Sequence, residues 1–150
     1  MEIERKFKVK QLPADLGQYP VSRIQQAYLC REPVVRVRQK NEEFWLTCKG
    51  KGLLSREEFE LPLSKEAYDH LLAKADGNLI TKDRYCIPFS GKTVELDIFL
   101  GALAPLVLAE IEFDTEAEAL AFHFPDWFGE EVTEDPAYCN SNLSIKGAEL

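Results

Sequence analysis

The sequence predicts a mainly β protein, an eight-stranded antiparallel barrel with a few helices packed outside it. Three observations favour this fold. The chain has 150 residues, enough for one sizeable core. Most segments alternate apolar and charged residues, as strands with one covered face do. About eight such segments follow one another through short turns, and eight strands are enough to close an antiparallel barrel.

Turn signals separate the predicted strands. The chain begins with MEIERKFKV, in which charged and apolar residues alternate strictly. A loop containing Pro and Gly follows, and the short connection 41–43 indicates a hairpin. The Ser90-Gly91 pair marks another turn. The predicted strands are residues 2–9, 22–31, 34–40, 44–50, 56–63, 79–89, 92–99 and 105–113.

Two short helices complete the predicted elements. The first covers residues 65–75, with Ser64 as its N-cap and Gly77 as its stop. The second covers residues 115–122 and begins with a capping-box spacing. The tail from residue 130 is polar and rich in turn residues, so no element is predicted there. Because no repeat or linker interrupts the chain, we expect residues 1–150 to form one domain.

Composition excludes several classes of protein. The net charge is −8, which argues against general binding to nucleic acid or to an anionic membrane. No apolar run approaches the ~20 residues of a membrane-spanning helix. The N-terminus shows no signal peptide, so we expect a cytoplasmic protein. Without CxxC pairs, the four cysteines are predicted to be reduced core thiols; they are Cys30, Cys48, Cys86 and Cys139.

Charged residues form rows of like sign on the predicted strands. The acidic pairs are Glu2/Glu4, Glu58/Glu60, Glu95/Asp97 and Glu110/Glu112, and the basic pairs are Arg36/Arg38 and Lys82/Arg84. Lys6 and Lys49 add further cations. The members of each pair share one strand face, roughly 7 Å apart. Such alternation is usual for a sheet with one solvated face, and this alternative stays open from the pattern alone.

Two features favour a charged interior instead. The signs are segregated by strand, whereas surfaces usually mix them. The opposite faces are apolar and must be covered; they carry Ile3, Phe7, Val35, Val37, Phe59, Ile98 and Ile111. Confined charges are costly unless they are paired or bind a metal. A polyphosphate held by Arg and Lys, with a divalent cation held by carboxylates, would satisfy both sets of charges.

The order of these motifs resembles the CYTH family, the triphosphate tunnel metalloenzymes, over essentially the whole chain. The family hallmark Glu-x-Glu-x-Lys occurs as Glu2-Ile-Glu4-Arg-Lys6, and VRVRQ, LTCKGKG, REEFEL, TKDRY, VELDIF and AEIEF follow in order. The tail EVTEDPAYCNSNLS looks like the family's C-terminal segment. The resemblance implies an eight-stranded tunnel of the short bacterial form, without an added helical domain.

The resemblance also implies a role for each charged residue. The metal ligands would be Glu2, Glu4, Asp97, Glu110 and Glu112. The phosphate-binding residues would be Lys6, Arg36, Arg38, Lys49, Lys82 and Arg84. The catalytic residues would be Lys6, Glu58, Glu60 and Lys82, with the two glutamates orienting cations or positioning a water. The expected cofactor is Mg²⁺ or Mn²⁺.

The implied activity is metal-dependent hydrolysis of a triphosphate, in the simplest case inorganic tripolyphosphate to pyrophosphate and phosphate. The alternatives are an adenylyl cyclase, a nucleotide or thiamine triphosphatase, or a polyphosphate-binding module without turnover. The expected partner is a small molecule that carries a triphosphate, with no nucleic acid and no membrane; a homodimer is left open. Whether Tyr28 reaches the tunnel is also open. The residues expected at the surface are Lys8, Lys40, Lys51, His70 and His123.

Overall fold

The computed structural model describes residues 1–146, which form one antiparallel sheet of ten strands and three short α-helices. The strands are β1 (Glu2–Val9), β2 (Val21–Arg31), β3 (Val34–Lys40), β4 (Glu43–Lys49), β5 (Ser55–Arg56), β6 (Glu58–Leu63), β7 (Asp76–Phe89), β8 (Lys92–Leu100), β9 (Val107–Phe113) and β10 (Phe128–Glu131). The helices are α1 (Lys65–Leu72), α2 (Glu116–Ala121) and α3 (Asn140–Lys146). Short 3-10 turns cover Leu16–Gln18, Gly101–Leu103 and Pro136–Tyr138.

The sheet curls round on itself. Its hydrogen-bonded path is β10-β1-β9-β8-β7-β2-β3-β4-β6. β6 pairs with β4 at one end of this path, while β5 pairs with β1 near the other end. Because only Glu57 separates β5 from β6, this segment brings the two ends of the wall together. The antiparallel β fold is therefore confirmed, although it has ten strands rather than eight and its backbone hydrogen bonds do not close a ring within residues 1–146.

The main apolar core covers the outer face of β1, β8 and β9. Ile3, Phe7 and Ile111 are buried there, beneath α2 and the aromatic segment 122–128. Phe7 packs against Phe124 with ring centroids 4.4 Å apart. The apolar positions of the alternating pattern thus point outwards and are covered, which leaves the charged positions inside.

The prediction that every apolar position on these faces is covered is wrong for Phe59, which is 61% exposed. Phe59 pairs with Cys48 at one end of the β4–β6 ladder, while α1 follows the other end, where Phe44 pairs with Leu63. α1 packs there through Tyr68, whose ring centroid lies 5.0 Å from that of Phe44. The helix is too short to reach Phe59. Of the other positions, Val37 is fully buried, whereas Val35 and Ile98 are partly exposed.

One end of the interior is filled with apolar side chains rather than charges. Leu108, Phe99 and Ile80 each stand two residues from a charged position, on the same strand face, and are buried. Tyr138 and Leu143 pack against this cluster from the tail. The interior therefore has an apolar floor and a charged upper part.

The tail contains structure that the sequence pattern does not predict, namely β10 and α3. Arg31 on β2 donates from Nε to the Ser141 carbonyl at 3.0 Å and from Nη2 to Ser144 Oγ at 2.8 Å. These tertiary contacts fix a short polar helix whose own sequence carries only a weak helical signal.

The structure also tests the predictions for the cysteines, the two histidines and membrane-spanning helices. The cysteines are free, but the prediction that all are core thiols is wrong, because Cys30 is exposed and the other three are only partly buried. His70 and His123 are exposed, as expected. None of the helices within residues 1–146 is long and apolar enough to span a membrane.

Candidate functional site

The inner faces of the strands enclose a charged cavity of about 310 Å³. All of the predicted site residues line it except Lys82 and Asp97: the lining includes Glu2, Glu4, Lys6, Arg36, Arg38, Lys49, Glu58, Glu60, Arg84, Glu110 and Glu112. Further lining residues are Tyr28, Val34, Lys40, Glu43, Trp45, Arg56, Glu95, Cys139, Asn140 and Ser141. The sheet therefore gathers in one place cations and carboxylates that are widely spaced in the sequence.

The acidic side of the cavity lies where β1, β9 and β8 adjoin. Glu4 stands directly opposite Glu112 on the neighbouring strand, and Glu110 stands opposite Glu95. Carboxylates in such cross-strand positions repel each other. Burial, together with the neighbouring carboxylates of Glu110 and Glu2, raises the pKa of Glu4 to about 8. This part of the cavity carries more negative charge than its own cations balance.

Glu112 shares this environment. Burial and the nearby carboxylates of Glu2 and Glu58 raise the pKa of Glu112. Within residues 1–146, neither Glu4 nor Glu112 forms a salt bridge, in contrast to their neighbours Glu2 and Glu110. Their hard oxygen atoms fit the ligand preference of Mg²⁺ and Mn²⁺. In the described part of the chain, however, no three His, Cys, Asp or Glu side chains already stand close enough together to hold a metal.

Glu2 and Glu110 are held by cations. Lys49 Nζ lies 3.0 Å and Arg56 Nε lies 3.4 Å from Glu2 Oε1. Lys6 Nζ lies 3.5 Å from Glu110 Oε1. Burial favours the neutral form of both acids, but the nearby cations outweigh burial. Lys49 and Arg56 thus lower the pKa of Glu2, and Lys6 holds the pKa of Glu110 well below its ordinary value.

Asp97 and Lys82 lie behind Arg84 rather than on the cavity surface. Arg84 donates from Nε and Nη2 to the two oxygens of Asp97 at 2.8 and 2.9 Å. Lys82 Nζ lies 2.7 Å from Asp97 Oδ2, without hydrogen-bond geometry. Burial, aided by Arg84 and Arg38, lowers the pKa of Lys82 to about 7 despite this contact. Both oxygens of Asp97 are thus occupied by cations.

Arg36 and Arg38 differ from the other cations of the cavity. Arg36 is 4% exposed; its Nη2 donates to Thr47 Oγ1 at 3.2 Å, and its Nε has no hydrogen-bond partner among residues 1–146. Arg38 donates from Nε to Gln26 Oε1 at 2.8 Å. Neither guanidinium forms a salt bridge within residues 1–146. Burial and the positive charges of Arg36 and Arg84 lower the pKa of Arg38 to about 9.

Sequence reasoning missed several residues of the site. Arg56 lines the cavity, and its signal was present, because it shares a strand face with Glu58 and Glu60 in REEFEL. Gln26 and Thr47 are fully buried against the arginines, but neutral polar residues on a strand carry no comparable signal. Tyr28, left open before, lines the cavity together with the tail residues from 139 to 141.

The lysines that were expected in solvent behave differently from one another. Lys51 is exposed, and Lys8 is half-exposed beside Glu130, its Nζ 3.1 Å from Glu130 Oε1. Lys40 instead lines the cavity near Glu43, its cross-strand partner. The expectation for Lys40 is therefore wrong: because it continues the inward face of Arg36 and Arg38, it reaches the cavity edge.

A sequence model described as CYTH domain matches residues 1–138 of the chain. The chain belongs to the CYTH family. Two curated CYTH relatives are described as inorganic triphosphatase. The relative from Nitrosomonas europaea is 40% identical over 149 residues, covering 96% of this chain and 97% of the relative. The relative from Acetivibrio thermocellus is 40% identical over 146 residues, covering 95% of this chain and 92% of the relative.

Solved structures agree with the family assignment. The crystal structure of an inorganic triphosphatase is 37% identical with a TM-score of 0.71, covering 97% of this chain and 95% of the other. A conserved hypothetical protein from Pyrococcus furiosus shares the fold at 19% identity and a TM-score of 0.61, covering 81% of this chain and 83% of the other. The resemblance drawn from the charged rows is confirmed.

Proposed function

We propose that this CYTH protein is a divalent-metal-dependent hydrolase that cleaves inorganic tripolyphosphate to pyrophosphate and phosphate. The observation that carries the proposal is the mismatch of charge inside one cavity. Within residues 1–146, Arg36 and Arg38 form no salt bridge with a carboxylate, and Glu4 and Glu112 form none with a cation. A polyphosphate bound together with a divalent cation supplies both missing partners. The names of the two curated relatives support the same activity.

The phosphate groups would lie against the basic residues of the lining. Arg36 and Arg38 offer guanidinium donors that no carboxylate of residues 1–146 occupies, and guanidiniums bind phosphate oxygens in a bidentate manner. Further cations would contact the phosphates from β1, β4 and β7; these are Lys6, Lys49 and Arg84. Lys82 and Asp97, which stand behind Arg84, would hold its guanidinium in position.

The carboxylates would hold the metal. Glu4 and Glu112 are the first candidates because no cation of the described residues 1–146 forms a salt bridge with them, and Glu2 and Glu110 stand beside them. A bound Mg²⁺ or Mn²⁺ would neutralise charge that develops on the phosphate oxygens. The family's metal dependence fits this donor set, while the choice between the two metals stays a prediction, as does the cytoplasmic location.

The remaining carboxylates would position the attacking water. Burial and the neighbouring carboxylate of Glu2 raise the pKa of Glu58, which makes it a better proton acceptor than an ordinary glutamate. The water oxygen would bond to the terminal phosphorus, the bond to the bridging oxygen would break, and pyrophosphate would leave. Lys6, whose Nζ donates to the Tyr138 carbonyl at 3.0 Å, would stabilise the charge of the leaving group. Glu60 would orient the basic residues across the cavity.

The test is product analysis by ³¹P NMR with tripolyphosphate as substrate, with Mg²⁺, with Mn²⁺ and with EDTA. We expect equal amounts of pyrophosphate and phosphate with metal and no turnover with EDTA. Tripolyphosphate binding without turnover in either metal would instead identify a binding module. Conversion of ATP to cyclic AMP, rather than to ADP and phosphate, would identify a cyclase. Either result would overturn the proposal.

A further inference from the structure

Apart from Lys40 at its edge, the cations that line the cavity fall into two classes according to their partners. Lys6, Lys49, Arg56 and Arg84 each contact at least one carboxylate. A carboxylate that holds a cation in place also cancels much of its charge. Arg36 and Arg38 are instead held by two neutral side chains, Thr47 and Gln26. Both neutral residues are fully buried, with 0% exposure.

Gln26 satisfies two groups of the cavity wall at once. Arg38 Nε can only donate, so the amide oxygen of Gln26 faces it at 2.8 Å. The amide nitrogen of Gln26 then donates to Tyr28 Oη at 3.0 Å. Because the guanidinium is planar, anchoring Nε fixes the direction of both terminal nitrogens. Gln26 is itself outside the cavity lining, so it would act on a bound anion through Arg38.

Thr47 has the same relation to the second guanidinium. Its Oγ1 accepts from Arg36 Nη2 at 3.2 Å and lies 3.3 Å from Glu60 Oε2, to which it donates. The hydroxyl therefore separates Arg36 from the carboxylate of Glu60, and the two form no salt bridge. As a result, Arg36 is oriented by Thr47 and forms no salt bridge with any carboxylate of residues 1–146.

We propose that Gln26 and Thr47 are positioning residues, whose neutral acceptors orient Arg38 and Arg36 and leave both positive charges available to the phosphate chain. This inference rests on the proposed function and adds the residues that set substrate affinity. Carboxylates at these positions would orient the arginines equally well, but they would neutralise them before the substrate arrives. Apolar residues would leave buried donors unsatisfied.

The first test replaces the amide by a side chain of similar volume, Gln26→Met. We expect the KM for tripolyphosphate to rise about tenfold, the effect of losing one hydrogen bond to a charged group, while kcat stays within about threefold. Gln25→Met is the matched control, since Gln25 immediately precedes Gln26 on β2 and faces the other side of the sheet. An unchanged KM in folded Gln26→Met, or an equal rise in the control, would overturn the inference.

A double-mutant cycle separates positioning from general stability. If Gln26 acts through Arg38, Gln26→Met should change the KM by less than about twofold in an Arg38→Ala background. A full tenfold effect in that background would contradict a role through Arg38. Thermal melts of all variants report whether each one is folded.

The second test keeps the acceptor and adds a charge, Gln26→Glu. The hydrogen bond to Arg38 can still form, so we expect a melting temperature near that of the wild type but a rise in KM of at least tenfold. A wild-type KM would show that the neutrality of residue 26 is irrelevant. Thr47→Val should raise the KM in the same sense, and exposed Thr93→Val should not. If Gln26→Met does not fold, Thr47→Val and its control Thr93→Val provide the test instead.

Calorimetric titration of tripolyphosphate into the metal-free proteins gives a readout that does not depend on turnover. The wild type should bind, and Gln26→Glu should bind at least tenfold more weakly. If the wild type neither binds nor cleaves tripolyphosphate, the proposed function fails. If the wild type does both and the variants match it, only the role of the neutral acceptors fails.

Discussion

Glu4 lies among the carboxylates whose negative charge is not balanced by the cations around them. It stands opposite Glu112 and beside Glu2 and Glu110, so a metal that it holds relieves a repulsion already present. We expect Glu4→Gln to lower kcat/KM for tripolyphosphate by at least about 10²-fold, the usual scale for losing a group that organises transition-state charge. The measurement is steady-state phosphate release. Glu130→Gln, at an exposed residue, is the control, and near-wild-type turnover of Glu4→Gln at limiting metal would contradict this role.

The same residue predicts how the stability of the metal-free protein depends on pH. The pKa of Glu4 is raised from 4.5 to about 8, so the folded state binds this proton more tightly than the unfolded state does. The protonated carboxyl therefore makes its full contribution to stability below pH 4.5, and this contribution is lost as pH rises through about 8. Glu4→Gln lacks this loss. In thermal melts in EDTA, the free energy of unfolding of the variant relative to that of the wild type should rise by on the order of 2–4 kcal/mol as pH rises across this window.

That comparison reports the titration of Glu4 together with the carboxylates coupled to it, Glu2 and Glu110. Parallel melting curves for wild type and variant across the window would mean that Glu4 ionises at its ordinary pKa. In that case the carboxylates near Glu4 would not be under the repulsion inferred from their positions.

At the level of elements, β1 is the strand on which the site depends most. It pairs with β9 on one side and with β5 and β10 on the other, and it carries Glu2, Glu4 and Lys6 on its inner face. Inserting one residue after Arg5 would move Lys6 to the apolar side and Phe7 to the cavity. We expect loss of folding, measured by circular dichroism and thermal melting.

The control is an insertion of one residue into the Ser90-Gly91 turn between β7 and β8. Both turn residues have positive φ and the turn is exposed, so the extra residue is expected to be tolerated. A folded and active insertion variant in β1 would show that the register of this strand does not determine the site.

Docking of α3 also depends on one backbone position. Gly77 has φ +76°, and a Cβ at this residue would lie 2.9 Å from the Ser144 carbonyl oxygen and close to the Arg31 guanidinium. Gly77→Ala should therefore destabilise the protein by about 1–3 kcal/mol, measured by denaturant unfolding. Gly17→Ala, where a Cβ would meet nothing within 4 Å, should have little effect. Equal stabilities of the two variants would show that α3 is not held against β7 at this point.

These elements also show how far the sequence could predict the structure. Strict alternation predicts the inner faces correctly, because a strand's period of two leaves only two choices and apolar residues such as Ile3 and Phe7 decide between them. Alternation does not reveal the apolar floor, since Leu108 and Phe99 share the charged faces and their depth depends on the curl of the sheet. Nor does it reveal α3, whose position is fixed by contacts from Arg31 rather than by local propensity.

At the level of the whole molecule, an acidic protein is inferred to bind a strongly acidic substrate. The net charge of −8 repels an approaching polyanion over long distances. Salt screens this repulsion. Inside the cavity, at short range, the guanidiniums of Arg36 and Arg38, which form no salt bridge within residues 1–146, would outweigh that repulsion. Binding should therefore depend on the local arrangement of charge rather than on the overall field. A ligand with several phosphates could contact basic residues on β1, β3, β4 and β7 at once.

The most direct test of this account is steady-state kinetics on tripolyphosphate, ATP and pyrophosphate, at saturating Mg²⁺ and again at saturating Mn²⁺. Pyrophosphate would leave part of the basic lining without a partner, and ATP must also accommodate its nucleoside near Trp45. Losing one charge-assisted contact costs roughly 1.5–3 kcal/mol, and ~1.4 kcal/mol is tenfold. We therefore predict that kcat/KM for tripolyphosphate exceeds that for either competitor by at least about tenfold. An equal or higher kcat/KM for ATP in both metals would contradict the account and indicate a nucleotide-directed enzyme.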